Sequence, residues 1–146
     1  KNDNFDKVNG HVIPSVISKI ELAKKKNYSK VTLWGTGRPL REFIHSDDLA
    51  NAILTCLKVK KSVYQKKFKS RLPILNVGTK HIISIKQLSK LIAKYIDYKG
   101  KIIFDKRFPD GTFKKDLDSN KINQLGWYPK INFKIGLKKV ILDRNH

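Results

Sequence analysis

The sequence predicts an α/β fold. Apolar residues recurring at intervals of three and four alternate along the chain with short runs rich in Val, Ile and Phe, and Gly or Pro separates many of them. The first helix is set by Ile13, Val16, Ile17, Ile20 and Ala23, with Pro14 acceptable in its first turn. Residues 31–34 read as a strand, followed by the glycine-rich turn Trp34-Gly35-Thr36-Gly37. That turn starts like a dinucleotide-binding loop. It lacks the third glycine, and Arg38-Pro39-Leu40 stands where a helix should open, so the expectation is a turn between strands.

Residues 42–45 are expected to form a second strand that runs into a helix capped by Ser46, with Asp47 and Asp48 at the positive end of the dipole. Leu49, Ile53, Cys56 and Leu57 are expected to face inward, which makes Cys56 a buried core residue. The basic, weakly periodic stretch 58–71 reads as an exposed loop. Residues 73–77 read as a strand stopped by Gly78. Ser84 caps a third helix carrying Leu88, Leu91, Ile92 and Tyr95. Residues 101–104 and 115–118 read as strands, with a turn signal at Pro109-Asp110-Gly111-Thr112 between them. Gly126-Trp127-Tyr128-Pro129 closes a short helix with an aromatic packing anchor, and Phe133, Leu137, Val140 and Ile141 mark the last helix.

Composition excludes several function classes. The chain has 146 residues, of which 40% are apolar, including 7 Phe, 5 Tyr and 2 Trp, which is too much core-forming material for a disordered chain. No apolar run approaches the ~18 residues of a membrane span. A single Cys excludes an internal disulfide and a Cys-rich zinc site, and His11, His45, His81 and His146 lack metal-ligand spacing, so no metal is expected. The formal charge of +20 raises nucleic-acid binding as a reading. Only five of the 32 basic residues are Arg, however, and the Lys are spread over every segment, which favours a solvated lysine surface.

Three positions carry chemistry. Arg41, in Arg41-Glu42-Phe43-Ile44-His45-Ser46-Asp47-Asp48, could leave its strand to grip an anion. His11 precedes the first helix, and a histidine can move protons near neutral pH. Asp110 lies close in sequence to Lys114 and Lys115, joining a hydrogen-bond acceptor to phosphate-binding cations.

Taken together, the phrases HVIPSVISKI, VTLWGTGRPLREFIHSDDLANAI, LNVGT and PDGTFKKDLDSNKINQLGWYPKI resemble the C-terminal half of the GDP-L-fucose synthases. These are NADP-dependent epimerase/reductases of the extended short-chain dehydrogenase superfamily. The resemblance runs almost from end to end and is weakest over residues 58–71. It implies an enzyme converting GDP-4-keto-6-deoxy-D-mannose to GDP-L-fucose by epimerising two carbons and then reducing the ketone. His11 inherits the role of candidate acid beside the cofactor. Lys19, Trp34, Arg41, Asp110 and Lys115 match family positions around the GDP-sugar. The cations suit a diphosphate and the indole suits a flat base or sugar.

The resemblance also implies what lies elsewhere. The family's glycine-rich cofactor loop, catalytic Ser, Tyr-x-x-x-Lys pair and epimerising Cys belong to the N-terminal half, and this chain is read as carrying none of them. Residues 1–146 are therefore expected to be a single fragment: the substrate-binding part, with segments that would return to an absent Rossmann-like domain that binds NADP. The whole protein is expected to be a cytoplasmic homodimer. The isolated piece is expected to be inactive, with apolar helix faces lacking partners. Two alternatives remain: another nucleotide-sugar epimerase or dehydratase, or a basic module for polyanions.

Overall fold

A computed structural model describes Asn4 and residues 10–69 and 74–144. Arg71, Pro73 and His146 lie outside them. The elements in order are α1 (Val12–Lys25), β1 (Lys30–Trp34), β2 (Leu40–Glu42), α2 (Ser46–Lys58), α3 (Lys61–Phe68), β3 (Ile82–Ser84), α4 (Ile85–Ile96), β4 (Lys101–Asp105), β5 (Lys114–Lys115), α5 (Asn120–Gln124) and α6 (Phe133–Arg144). The fold is α/β, as the sequence predicts. No helix among the described residues is long and apolar enough to cross a membrane.

The chain divides into two compact units. The first holds residues 1–41, 83–114 and 137–146, and the second holds residues 42–82 and 115–136. In the first unit β1 and β4 pair in parallel, in register from Lys30 opposite Lys101 to Trp34 opposite Asp105. A parallel pair needs a crossover connection. Of the segments between the two strands, α4 belongs to this unit and packs on α1. Val16, Ile17, Ile20 and Ala23 of α1, Val31 and Leu33 of β1, Leu88 and Ile92 of α4, and Leu137 and Ile141 of α6 are all buried. The three- and four-residue spacings thus place these faces in the core. Ser84 caps α4 in a full capping box with Gln87. Arg144 near the end of α6 reaches Glu21 at 3.2 Å and Ser18 Oγ at 3.0 Å on α1.

The second unit has a smaller core of Ala52, Ile122 and Trp127, with Ile44, Cys56 and Val77 partly buried against it. Trp127 is therefore the packing anchor expected of it. Asp48 is buried and accepts from the amides of Lys130 and Ile131, both at 3.0 Å, which ties α2 to the segment before α6. Three short strands whose residues are divided between the units, β3, β2 and β5, form a sheet in that order.

Several expectations are corrected. The cap of α2 is His45, not Ser46: its Nδ1 accepts from the Asp47 amide at 3.2 Å. The burial of α2 is reversed. Its small residue Ala52 meets the core, whereas Leu49, Ile53, Leu54 and Leu57 are exposed, Leu57 at 77%. Cys56 is half-buried rather than fully buried. The second strand starts two residues earlier and ends three residues earlier than expected, because Leu40 is where a ladder bond to the Phe113 carbonyl becomes available. Residues 74–77 form no strand, since a strand needs a ladder partner and none is present among the described residues. The supposed loop at 58–71 contains α3, where Tyr64 and Phe68 pair one turn apart with ring centroids at 4.9 Å.

Candidate functional site

A hollow of ≈ 220 Å³ opens on the first unit. Its walls come from α1 and the residue before its cap, the end of β1 and the turn that follows, Arg41 of β2, Ile85 at the start of α4, and the segment 109–111. Lys19, Trp34, Arg41 and Asp110, four of the residues singled out from sequence, all line it. They are spread over 92 positions of sequence, from Lys19 to Asp110, yet share one wall system.

Lys19 follows the buried face of α1 by one step, so it leaves the core half-covered. Its ammonium stands 5.0 Å from the centre of the Trp34 ring. Burial holds its pKa below the ordinary lysine value. Trp34 is 47% exposed at the end of β1. Phe108 stacks on it with ring centroids 4.6 Å apart and a 12° interplanar angle. Arg41 is half-buried, and its Nη1 donates to the carbonyls of Leu40 at 2.7 Å and Thr112 at 2.8 Å. Asp110 accepts from the Thr36 amide at 2.8 Å and from the Thr36 hydroxyl at 2.5 Å. These two donors, helped by Arg38 and Arg41, hold its carboxyl below the usual carboxylate range.

His11 and Lys115 fall outside this wall. His11 is exposed at the cap of α1 and does not line the hollow, although its neighbours Gly10 and Val12 do. Its carbonyl accepts from the Ser15 amide at 2.9 Å. Lys115 belongs to the second unit, where it lines a separate hollow of ≈ 280 Å³ with Glu42, Ile44, Val77, Gly78, Asp116 and Leu117. There Glu42 accepts from the amides of Thr79, Lys80 and Leu117. Sequence reading missed Phe108 and Thr36. Their partners lie 74 residues away in each case, and no local pattern signals such a pairing.

The family model described as "NAD dependent epimerase/dehydratase family" matches residues 1–78, which is more than half of the chain. The chain belongs to the NAD dependent epimerase/dehydratase family. Among its relatives is the GDP-L-fucose synthase of Escherichia coli strain K12, 40% identical over 93% of this chain and 42% of the relative. A GDP-6-OMe-4-keto-L-xylo-heptose reductase from C. jejuni matches in structure with a TM-score of 0.83 at 29% identity, over 99% of this chain and 50% of that one. A GDP-L-fucose synthetase from Naegleria fowleri, solved bound to NADP, matches with a TM-score of 0.77 at 26% identity, over 96% and 41%. The chain spans about two fifths of the length of the curated relatives it matches.

The family name implies a nicotinamide dinucleotide. The residues of the glycine-rich turn do not fit one. Gly35 and Gly37 have left-handed backbones, φ 78° and 73°, but they connect β1 to β2 and present no helix N-terminus. A Cβ on Gly35 would meet the Asp110 carboxylate, and one on Gly37 would meet the Phe104 ring. The chain's own side chains thus fill the space a pyrophosphate would need. One sequence expectation needs correcting here, because Tyr95 and Lys99 do stand at Tyr-x-x-x-Lys spacing. The helix ends between them. α4 stops at Ile96, Asp97 turns left-handed at φ 56°, and Lys99 pairs with Asp97 at 2.5 Å. The two side chains share no helix face, so they do not make the family's tyrosine–lysine pair.

Proposed function

We propose that this chain is the substrate-binding part of an NADP-dependent epimerase/reductase that makes GDP-L-fucose from GDP-4-keto-6-deoxy-D-mannose. The observation that carries the reading is the meeting of Lys19, Trp34, Arg41 and Asp110 around one hollow. Lys19 and Arg41 supply cations for the diphosphate. Arg41 donates to the Leu40 and Thr112 carbonyls through Nη1 alone, so the guanidinium has further N–H groups for an anion. Trp34 offers an indole beside the base or sugar, and Asp110 accepts from a base N–H or a sugar hydroxyl. At ≈ 220 Å³ the hollow is below the roughly 300–1,000 Å³ of typical ligand sites, so it holds part of a GDP-sugar. Lys115, which lines the hollow of the second unit, is assigned as a further phosphate-binding cation.

His11 is assigned the acid that returns a proton to carbon during epimerisation. Removing a proton beside a ketone and returning one to the opposite face inverts the centre, and the imidazole serves the second step. NADPH held by protein outside these 146 residues would supply the hydride for the ketone. The complete enzyme is assigned to the cytoplasm as a homodimer.

The test is a competition among GDP-, UDP- and dTDP-sugars, with NADPH oxidation followed in the presence of the keto sugar. The expected result is selective displacement by GDP-sugars and no hydride transfer by this chain alone. Turnover by the 146 residues alone would defeat the assignment. The second reading, reduction of another 4-keto GDP-sugar, is favoured by the match to the heptose reductase, and a panel of keto sugars separates the two.

A further inference from the structure

The Gly35-Thr36-Gly37 turn is left without a role once dinucleotide binding is set aside. Its geometry is nevertheless specific. Both glycines are left-handed, and Gly35 has no room for a side chain because the Asp110 carboxylate lies there. Between them Thr36 gives Asp110 two donors, its amide to Oδ1 and its hydroxyl to Oδ2. The hydroxyl has one proton and one direction to send it. The Arg38 amide, itself a donor, occupies the other side of Thr36 Oγ1 at 3.2 Å. The hydroxyl proton therefore goes to Asp110.

Asp110 is the middle of three anchors spaced two residues apart. Phe108 stacks on Trp34, Asp110 sits on Thr36, and the Thr112 carbonyl accepts from Arg41. Residues 108–112 are all exposed, so these anchors hold the segment in place without core packing. Pro109, Asp110 and Gly111 form the wall of the hollow that this segment supplies.

We propose that the Gly35-Thr36-Gly37 turn is a carboxylate clasp that seizes Asp110 and holds residues 106–113 as a strap along the hollow, which makes Thr36 a positioning residue for the ligand. The role of the strap in ligand binding rests on the GDP-sugar reading. The clasp itself does not. The two Thr36 donors favour the ionised carboxylate and fix its place in the wall of the hollow.

The test uses the full-length protein, with GDP as the probe, in wild type, Thr36→Val and Thr36→Ser. Valine keeps the shape and the amide bond and removes only the hydroxyl. Hydrogen exchange over residues 106–113 should accelerate about tenfold in Thr36→Val, and the GDP dissociation constant should rise by about the same factor. With keto sugar and NADPH, KM should rise while kcat stays within about twofold. Thr36→Ser should restore all of these values. Unchanged exchange over 106–113 in Thr36→Val, or a serine variant no better than valine, overturns the clasp. A wild type that ignores GDP while Thr36→Val still loosens the strap supports the clasp and refutes the GDP-sugar reading.

Discussion

Replacing Lys19 by Met tests the proposed site at the charge it depends on. Methionine keeps an unbranched stem over the Trp34 ring and removes the ammonium. A charge-assisted bond to phosphate contributes about 1.5–3 kcal/mol. To make it, Lys19 gives up its place 5.0 Å from the indole centre, a contact of about 0.5–1 kcal/mol at a half-exposed site. The net loss is about 1–2 kcal/mol, or about 5- to 30-fold in the dissociation constant for GDP. Titration calorimetry on wild type, Lys19→Met and Lys19→Arg reads this directly. Lys19→Arg should bind within a few-fold of wild type. A methionine variant binding GDP within twofold of wild type would refute the reasoning.

The same residue carries a pH dependence with a definite sign. Burial lowers the Lys19 pKa below 10.5. Affinity that needs the ammonium is full at lower pH and falls as pH rises through that lowered value. Lys19→Arg keeps its charge and should lose this alkaline fall. Folding shows the opposite slope. Between the lowered pKa and 10.5 the unfolded chain binds more protons at this position, so stability of the free protein rises with pH there.

Three further outcomes are expected. Asp48→Ala removes the acceptor of the Lys130 and Ile131 amides and should destabilise the second unit by about 2–5 kcal/mol, with Asp48→Asn losing about half of that. Urea unfolding followed by Trp127 fluorescence measures this, and an alanine variant within about 0.5 kcal/mol of wild type would contradict it. Leu57→Glu, at the most exposed position of the α2 stripe, should cost under about 0.5 kcal/mol and reduce self-association in sedimentation experiments; a wild type that stays monodisperse at high concentration would show that the stripe is not sticky. Ser84→Ala breaks the capping box with Gln87 and should cost about 1 kcal/mol, seen as a lowered urea midpoint; an unchanged midpoint would rule out that contribution.

Periodicity located the helices whose apolar faces are buried within one compact unit. α1 and α4 were legible because Ile17, Ile20, Leu88 and Ile92 repeat at helical spacing and are all fully buried. α2 misled for the same reason. Its large apolar stripe is real, but Leu49, Ile53 and Leu57 stay exposed and the smaller Ala52 packs inward. A pattern tells which residues lie on one face and not what, if anything, covers that face. α3 was hidden because it buries no side chain, so no core-facing stripe marks it.

The motifs followed a similar rule. The order of residues was enough to name Lys19, Trp34, Arg41 and Asp110 as ligand candidates, since residue type and family phrase are local properties. It was also enough to deny the glycine-rich turn a following helix. That the four meet around one hollow, that Phe108 already lies against the indole, and that Thr36 holds Asp110 with two donors were settled only by tertiary structure. Such pairings join residues 74 positions apart. Their geometry depends on β1 and β4 lying side by side in parallel, a long-range arrangement that no window of neighbouring residues encodes.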